Sequence, residues 1–285
     1  MVRFGPAGNS ESFYAQGYKS SEQAMKWLHE QGLSAYEYQC GQGVRVGKAT
    51  AEAIGAEAAK YDIALSIHAP YFVSLASPES EKRENSINYI MQSLKAARYM
   101  GAKRVVFHPG GIGKFSREAA TAMALEMLPR IIARADEEGY GDIVLCPEVM
   151  GKINQLGNIE EVLQMCELDE RMIPTFDFGH INARTLGSLK SAEDFESIIN
   201  MIEDKLGNER MRNLHCHFSR IQFSKGGEVR HWNYEDNEHG PDFEPFAEII
   251  VQKNMTPIII CESAGKQAED SGEYKRIYEH IKQSR

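Results

Sequence analysis

The sequence predicts an α/β fold, a (β/α)8 TIM barrel in which residues 1–285 form a single domain. Short apolar runs of strand length alternate with segments whose apolar residues recur at helical spacing, and the alternation occurs eight times. The length of 285 residues suits one such barrel, which takes about 250 residues. No linker or change in composition divides the chain, so one barrel is the simplest architecture.

The eight predicted strands are short runs of bulky apolar residues. They are expected at residues 2–7, 35–40, 64–69, 104–108, 142–148, 173–177, 213–218 and 257–262. Runs of this kind are typical of parallel strands that helices cover from outside. The carboxyl ends of such strands share one face of the barrel, and that face is where these barrels carry functional residues.

Apolar stripes predict the helices between the strands. The clearest stripes are Ile87-Ile90-Met91-Leu94-Ala97, Phe195-Ile198-Ile199-Ile202-Leu206 and Tyr274-Ile277-Tyr278-Ile281. Ser191 with Asp194 predicts a capping box at one helix start, and Pro129 predicts a kink in the helix over 117–138. The longest stretch without either pattern, residues 219–242, is expected to be an irregular loop with a function.

Composition limits the functional classes. The net charge of −9 argues against nucleic-acid binding through bulk charge, although a local basic surface would suffice. No apolar run approaches the roughly 20 residues of a membrane helix, and the N-terminal residues lack the apolar core of a signal peptide. The five cysteines form no CxxC pair. We therefore expect a cytoplasmic protein with reduced thiols and no membrane partner.

Histidines and carboxylates follow six consecutive predicted strands. They are His68, His108, Glu148, Asp177 with His180, His215 with His217, and Glu262. Each one taken singly has an ordinary explanation, such as a hydrogen-bonded loop histidine or a solvated glutamate. However, only His29 and His280 of the nine histidines fall on predicted helices, and packing gives no reason for the others to share one face.

This concentration of ligand types predicts a metal site. Three buried acids cannot stay ionised in a small volume without cations. Imidazole with carboxylate is the ligand set of zinc and, less tightly, of manganese or iron. Eight or so ligands exceed what one tetrahedral ion uses, so two or three ions are expected. Clusters of that kind suit hydrolysis of a phosphodiester.

These residues also carry a resemblance to a known family. Its most specific motifs are His68-x-x-Tyr71 followed by Leu75-Ala-Ser-Pro78, Phe107-His108-Pro-Gly110, Glu148, Asp177-x-x-His180, His215 and Glu262. On them the whole chain resembles a divergent branch of the endonuclease IV family of zinc-dependent (β/α)8 barrels. The resemblance implies a monomeric, deoxyribonuclease IV-like DNA repair enzyme. It would hydrolyse the phosphodiester 5′ to abasic sites in double-stranded DNA through a metal-activated hydroxide.

The resemblance also implies residue roles. The implied ligand sets are His68, His108 and Glu148 for one zinc, Glu148, Asp177, His215 and Glu262 for a second, and His180 with loop residues for a third. Manganese is the alternative metal. Glu148 or Glu262 would orient the attacking hydroxide. Tyr71 would contact DNA at the extruded abasic sugar. Apart from the resemblance, Arg230 is expected to bind the substrate because it is a basic residue of the predicted mouth loops.

Two departures from the family pattern affect these expectations. After the seventh strand the better-known family members carry His-x-Asn-Asp-Ser-Lys and then Asp-Arg-His. This chain has His215-Cys-His217-Phe-Ser-Arg and then Glu228-Val-Arg-His231, with Val229 aligned to the aspartate. His231 is the expected third-zinc ligand, with Glu228 in place of the aspartate and His239 as a competing choice. Phe178-Gly179 replaces the usual Thr-Cys between the sixth-strand aspartate and its histidine.

A basic rim would suit a DNA substrate. The basic residues in the predicted mouth loops are Arg45, Lys48, Lys114, Arg117, Lys152, Arg184, Arg220, Lys225, Arg230 and Lys266. They are either phosphate contacts or ordinary surface charge.

The alternative function is a single-metal sugar isomerase or epimerase of the xylose-isomerase-like barrel group, with two carboxylates that move protons at carbon. Such an enzyme has no need of His68, His108 and His180 around the same centre. A third alternative is a zinc-containing binding protein without turnover.

Overall fold

The computed structural model describes residues 1–284 and forms the predicted barrel. Its eight barrel strands are β1 (Arg3–Pro6), β2 (Ala35–Gln39), β3 (Ala64–His68), β4 (Arg104–Phe107), β5 (Val144–Pro147), β6 (Thr175–Asp177), β7 (His215–Phe218) and β10 (Ile258–Cys261). All eight predicted strands are confirmed, and their bounds differ from the prediction by two residues or fewer at each end.

Two four-stranded parallel sheets make up the barrel wall. Their strand orders are β1-β10-β7-β6 and β2-β3-β4-β5. Parallel bridges between Ala7 and Glu37 and between Glu148 and Thr175 join the sheets at both seams. The barrel therefore closes at the positions of two buried carboxylates, Glu37 and Glu148.

Helices surround the wall. They are α1 (Glu11–Ala15), α2 (Ser21–Glu30), α3 (Lys48–Lys60), α4 (Ser80–Met100), α5 (Arg117–Glu137), α6 (Ile159–Glu167), α7 (Phe178–Arg184), α8 (Ala192–Leu206), α9 (Asn208–Arg212), α10 (Glu244–Gln252) and α11 (Gln267–Gln283). Helix α5 continues through Pro129. Asp194 accepts a hydrogen bond from the Ser191 N–H at 2.8 Å, the carboxylate half of the predicted capping box. No helix within residues 1–284 is both long enough and apolar enough to cross a membrane.

The apolar core lies between the wall and the helices, whereas part of the barrel interior is polar. The three predicted stripes contribute buried side chains such as Leu94, Ile199 and Tyr274 to that core. Inside the barrel, Glu37, His215 and His217 are fully buried. Buried charge of this kind is costly unless it is paired, so the polar interior has to be explained by its contacts.

The stretch 219–242 is more ordered than the sequence suggested. It contains an antiparallel hairpin, β8 (Arg220–Ser224) and β9 (Gly227–Trp232), with a turn at Lys225-Gly226. The expectation of an irregular loop was wrong over these residues. Only Ile221 and Phe223 alternate with polar residues in β8, and the unpaired Val229 interrupts the alternation in β9. The hairpin bends over the carboxyl ends of β5 and β6, where it reaches the site described next.

Candidate metal centre

The barrel and its loops bring candidate ligands into five overlapping groups, two of which include the buried Glu37: Glu37 with His215 and His217, and Glu37 with His68 and Glu262. The other three groups lie at the carboxyl ends of the strands and are described first. In each group, one ligand atom per residue lies within 4.8 Å of the others. The first group is His68, His108 and Glu148; the second is Glu148, Asp177, His217 and Glu262; the third is His180, Glu228 and His231. Glu148 belongs to the first two groups, and His180 of the third lies with its Nδ1 3.3 Å from Glu148 Oε1, so the three groups form one continuous centre.

The first group is built on one oxygen of Glu148. Nε2 of His68 and Nε2 of His108 both lie 3.0 Å from Glu148 Oε2. The other ring nitrogen of His68, Nδ1, lies 2.9 Å from the carbonyl oxygen of Ala69 and donates to it. The lone pair of His68 therefore points at Glu148, which is the orientation that a metal ligand requires.

The second group is built on the other oxygen of Glu148. Glu148 Oε1 lies 3.3 Å from His217 Nδ1, and Glu262 Oε2 lies 3.5 Å from the same nitrogen. The two carboxylate oxygens of Asp177 have different roles. Its Oδ1 accepts the His180 N–H at 2.7 Å and caps α7, which leaves Oδ2 directed into the group.

The third group joins the barrel to the hairpin. His180 Nε2 lies 3.5 Å from Glu228 Oε2, and His231 Nε2 lies 3.9 Å from Glu228 Oε1. Each histidine is held through its other nitrogen, His180 by the carbonyl of Val149 at 3.0 Å and His231 by Ser219 Oγ at 2.8 Å. Both imidazoles thus present Nε2 to Glu228.

A β-bulge brings Glu228 and His231 to the same face. Residues three apart in a regular strand point to opposite faces. In this hairpin Gln222 pairs with Arg230 while Phe223 pairs with Glu228, so Val229 is an extra residue in β9. The bulge offsets the alternation by one residue. Glu228 and His231, which are three residues apart, therefore lie on the same face of β9, as residues two apart do in a regular strand.

Two glycines let the hairpin approach the barrel. Gly227 has φ +89°, and a Cβ there would lie 2.2 Å from the carbonyl oxygen of Gly151. A Cβ on Gly151 would in turn lie 2.7 Å from Glu228 Cβ. Backbone hydrogen bonds, including Glu228 N–H to Gly151 O at 3.1 Å, hold the two segments together. Larger residues at either glycine would separate Glu228 from His180.

The structure brings a different histidine of β7 to the second group than the one predicted. His217, not His215, lies beside Glu148, Asp177 and Glu262. Both histidines face the interior, but β6 pairs Asp177 with His217 and pairs Thr175 with His215, one layer deeper. Both nitrogens of His215 are occupied, Nε2 by Glu37 Oε2 at 2.9 Å and Nδ1 by the Arg104 guanidinium at 3.4 Å. His215 thus has no free lone pair for a metal.

Glu37 is a residue of the centre that sequence analysis missed. Its Oε1 lies 3.0 Å from His217 Nε2, opposite the nitrogen that faces the second group. Its sequence position does indicate a function: Glu37 is an acid within the predicted strand Ala35-Tyr-Glu-Tyr-Gln39, and a buried acid is costly without a partner. It was overlooked because it precedes the strand end by two residues.

Buried polar atoms without partners indicate that the second group suits a cation. The buried atoms of the described residues that make no hydrogen bond include Glu148 Oε1, Asp177 Oδ2 and both ring nitrogens of His217. Glu148, Asp177 and His217 belong to the same group. Unpaired buried acceptors cost free energy, which a bound divalent cation would offset. The donor set of imidazole and carboxylate fits zinc.

The pKa shifts of the buried ligands also indicate that this centre suits a cation. Burial alone would raise the pKa of Glu148, but His108 and His217 hold it well below its usual range. Burial would lower the pKa of His68, but the hydrogen bond and charge of Glu148 raise it to about 9. Burial raises the pKa of Asp177, with Glu262 and Glu148 adding to the effect. Protons and metal ions would therefore compete for these atoms.

A cleft of about 430 Å³ opens onto the centre. Its walls include His68, His108, His180, Glu228, His231 and Glu262 together with Gln39, Tyr71 and Lys152. The predicted substrate residue Tyr71 lies at the cleft with 54% of its surface exposed. Arg230 is not among the described residues that line it. Because His231 faces inward, its neighbour Arg230 faces outward, where its guanidinium lies 4.1 Å from the Trp232 ring centre.

The structure separates the basic rim into engaged and available side chains. Arg117 and Arg184 donate to carbonyl groups of residues 150–155, Arg220 pairs with Asp242, and Lys266 pairs with Glu235. Lys152 and Lys225 have no ion pair within residues 1–284 and both line a groove of about 690 Å³. The groove shares Lys152 and Glu228 with the cleft, so the two are continuous.

Comparison with known proteins places this geometry in a family. The sequence profile described as "Xylose isomerase-like TIM barrel" matches residues 25–284. The chain belongs to this family. It is 34% identical over 202 residues to an uncharacterised protein of Methanocaldococcus jannaschii, covering 71% of this chain and 72% of that one. It is 27% identical over 222 residues to a probable endonuclease 4 of Mycoplasma pneumoniae, covering 74% and 71%.

Solved structures of two reaction classes share the fold. Endonuclease IV from Thermus thermophilus matches with a TM-score of 0.67 at 18% identity, covering 99% of this chain and 100% of that one. A D-tagatose 3-epimerase-like protein matches with a TM-score of 0.72 at 19% identity, covering 99% of each. The family membership and the TIM barrel predicted from sequence are thus confirmed. The fold is common to both classes, so the residues of the centre have to discriminate between them.

Proposed function

We propose that this single-domain barrel is a zinc-dependent endonuclease that hydrolyses the phosphodiester 5′ to abasic sites in double-stranded DNA. The observation that carries the proposal is the position of Glu148, whose two oxygens face two different ligand groups. A carboxylate in that position is suited to bridge two ions, and a one-ion site does not need it. Kinship with proteins named endonuclease 4 supports the choice of DNA as substrate.

The proposed ligand assignment follows the three groups. The first zinc ion would be held by His68, His108 and Glu148. The second would be held by Glu148, Asp177, His217 and Glu262. The third would be held by His180, Glu228 and His231. Manganese is the alternative metal for the same oxygen and nitrogen ligands. When bound, such ions activate water and neutralise charge on a phosphate group.

The two proposed catalytic carboxylates differ in accessibility. The side chains of Glu148 and Asp177 are fully buried, whereas that of Glu262 is 17% exposed and lines the cleft. Glu262 is therefore the carboxylate placed to accept a proton from an attacking water. Glu148 is left to hold the first two groups at a fixed separation.

Surface residues would position the DNA. Tyr71 and Phe72 are 54% and 45% exposed, and their ring centres lie 4.5 Å apart beside the cleft. Exposed aromatic rings of this kind stack on bases or sugars that leave the helix. Lys152 and Lys225 in the adjoining groove would contact the phosphate backbone. Arg230 would act at the rim and not inside the cleft.

The cell context is part of the same proposal. We place the enzyme in the cytoplasm as a monomer, since one copy supplies all ligands of the three groups. All five cysteines are unpaired and buried, which suits a reducing compartment.

The deciding experiment measures metal content and cleavage on the same preparation. The purified protein is analysed for bound metal and incubated with an end-labelled duplex that carries one abasic site, beside the same duplex with an intact base. We expect two or three zinc ions per chain and a single cut 5′ to the lesion, with the intact duplex untouched. One ion per chain and an uncut lesion duplex would refute the proposal.

A specific observation also supports the runner-up, a sugar isomerase or epimerase. The second group alone, with three carboxylates and one imidazole, is a complete site for one metal ion. His68, His108 and the third group would then be structural. Interconversion of a ketohexose with its 3-epimer, together with one ion per chain, would identify this activity.

A further inference from the structure

A chain of buried polar contacts runs beneath the proposed metal centre. Arg104 on β4 lies inside the barrel, where its guanidinium donates to the carbonyls of Asn213 at 2.7 Å and Leu214 at 3.1 Å. The same guanidinium lies 3.4 Å from His215 Nδ1, and His215 Nε2 lies 2.9 Å from Glu37 Oε2. Glu37 Oε1 then lies 3.0 Å from His217 Nε2.

The direction of each contact follows from the donors available. A guanidinium has only N–H donors, so His215 Nδ1 has to be the acceptor. The single ring proton of neutral His215 therefore lies on Nε2. That proton is donated to Glu37 Oε2, which also accepts the Ser66 hydroxyl at 2.8 Å. His217 Nε2 lies 3.0 Å from Glu37 Oε1 but is not aligned with it as in a hydrogen bond. At this distance the negative charge of ionised Glu37 favours a proton on Nε2, the nitrogen that faces it.

We propose that Arg104, His215 and Glu37 form a positioning relay that fixes the tautomer of His217, so that its Nδ1 lone pair faces Glu148, Asp177 and Glu262. With the opposite tautomer, an N–H would point into the second group and exclude a cation. The relay assigns a role to both histidines of His215-Cys-His217, one as ligand and one as support.

The relay is distinct from the anchors of the other imidazoles. His68 is held by the carbonyl of the next residue, Ala69, and His180 by the carbonyl of Val149, which follows β5. His217 instead depends on side chains from three other positions on β2, β4 and β7. The inference rests on the proposed metal centre, but it does not depend on which reaction that centre performs.

Zinc affinity tests the relay independently of catalysis. The metal-free protein competes with a chromophoric chelator for Zn²⁺, and the wild type is compared with His215→Leu and His215→Gln. Leucine removes both contacts, and loss of such an outer partner lowers metal affinity about 10- to 100-fold. Glutamine retains an acceptor toward Arg104 and a donor toward Glu37, so we expect near wild-type affinity. Equal affinity of the leucine variant and the wild type would overturn the relay, as would a glutamine variant as weak as leucine.

A matched control separates the relay from packing. Thr175 is buried and pairs with His215 in the sheet register, but its hydroxyl bonds to the carbonyl of Cys146 at 3.5 Å, and within residues 1–284 it makes no hydrogen bond to a relay member. Thr175→Val should bind zinc as the wild type does. A loss as large as that of His215→Leu would assign the effect to barrel packing and overturn the inference.

Nuclear magnetic resonance tests the tautomers without depending on a variant that folds. Two-bond ¹H–¹⁵N correlations of the zinc-loaded wild type, with ¹⁵N-labelled histidine, report which ring nitrogen is protonated. We expect Nε2–H on both His215 and His217 and a metal-shifted Nδ1 on His217. A proton on Nδ1 of either ring would refute the relay. If the wild type binds zinc but cuts no DNA, the endonuclease proposal fails while this result still decides the relay.

Discussion

The barrel and the hairpin contribute to the candidate centre in different ways. The first two groups stand on barrel strand ends, and His68, Glu148 and His217 expose 7% or less of their side chains. The third group takes two of its residues from β9, where 16% of the Glu228 side chain and 23% of the His231 side chain are exposed. Contacts are shorter in the barrel, with 3.0 Å at Glu148 against 3.9 Å between His231 and Glu228.

The difference indicates which part of the centre is preorganised. Strand ends of a closed barrel are held by ladders on both sides, so their ligands keep their separation. The hairpin is held to the barrel by a few backbone contacts around Gly151 and Gly227. We therefore expect substitutions in the barrel groups to be severe and those in the hairpin group to be milder.

The largest effect should come from Glu148, which two barrel groups share. Glu148→Gln keeps the size but loses the charge that faces both groups, so turnover on abasic duplex should fall by at least about 10³-fold. Metal analysis should show fewer ions per chain, while circular dichroism shows an intact barrel. Retained activity with a normal metal content would remove Glu148 from the mechanism.

A smaller effect is expected in the hairpin group. His231→Ala should lower the zinc content by one ion and turnover by about 10²-fold, since the barrel groups remain. His239→Ala is the control, because His239 bonds to Asp236 at 2.8 Å and stacks on Trp232 away from the third group. Loss of the ion in the His239 variant, with retention in the His231 variant, would reverse the assignment.

The two groove lysines test whether the barrel and the hairpin both contact DNA. Lys152 comes from the barrel loop and Lys225 from the hairpin turn, and each alanine variant should reduce the slope of log affinity against log salt by about 1. Zinc content should not change. Lys26→Ala on the outer α2 serves as the control, since its contact is Glu30 on the same helix. An unchanged slope for either groove variant would exclude that lysine from the DNA surface.

The smallest effect should come from deleting Val229. Removal of the bulge residue leaves Glu228 two positions before His231, which a regular strand places on one face. The deletion should therefore retain the third zinc ion. Insertion of one alanine after Val229 should instead turn Glu228 away and lose that ion. Metal analysis of both variants checks the bulge, and loss of the ion on deletion would show that the bulge geometry itself is required.

Local patterns in the sequence predicted more of the barrel than of the hairpin. Apolar runs and helical stripes depend on neighbouring residues, so all eight strands were placed to within two residues. Pairing of β8 with β9 depends on a bulge at an exposed valine, and no residue type signals that bulge. Likewise, the rim arginines were visible in sequence, but their engagement by carbonyls of residues 150–155 was not.

The sequence by itself determined the fold and the strand ends at which the ligands collect, because alternation and strand length are encoded locally. Only the tertiary structure decided between His215 and His217. Both point inward, and the register of β7 against β6 sets which one reaches Asp177. Only the structure brought Glu37 next to His217, since the two are far apart in the chain and meet where the barrel closes. Side-chain function at this centre depends on contacts between distant strands, and no local pattern carries that information.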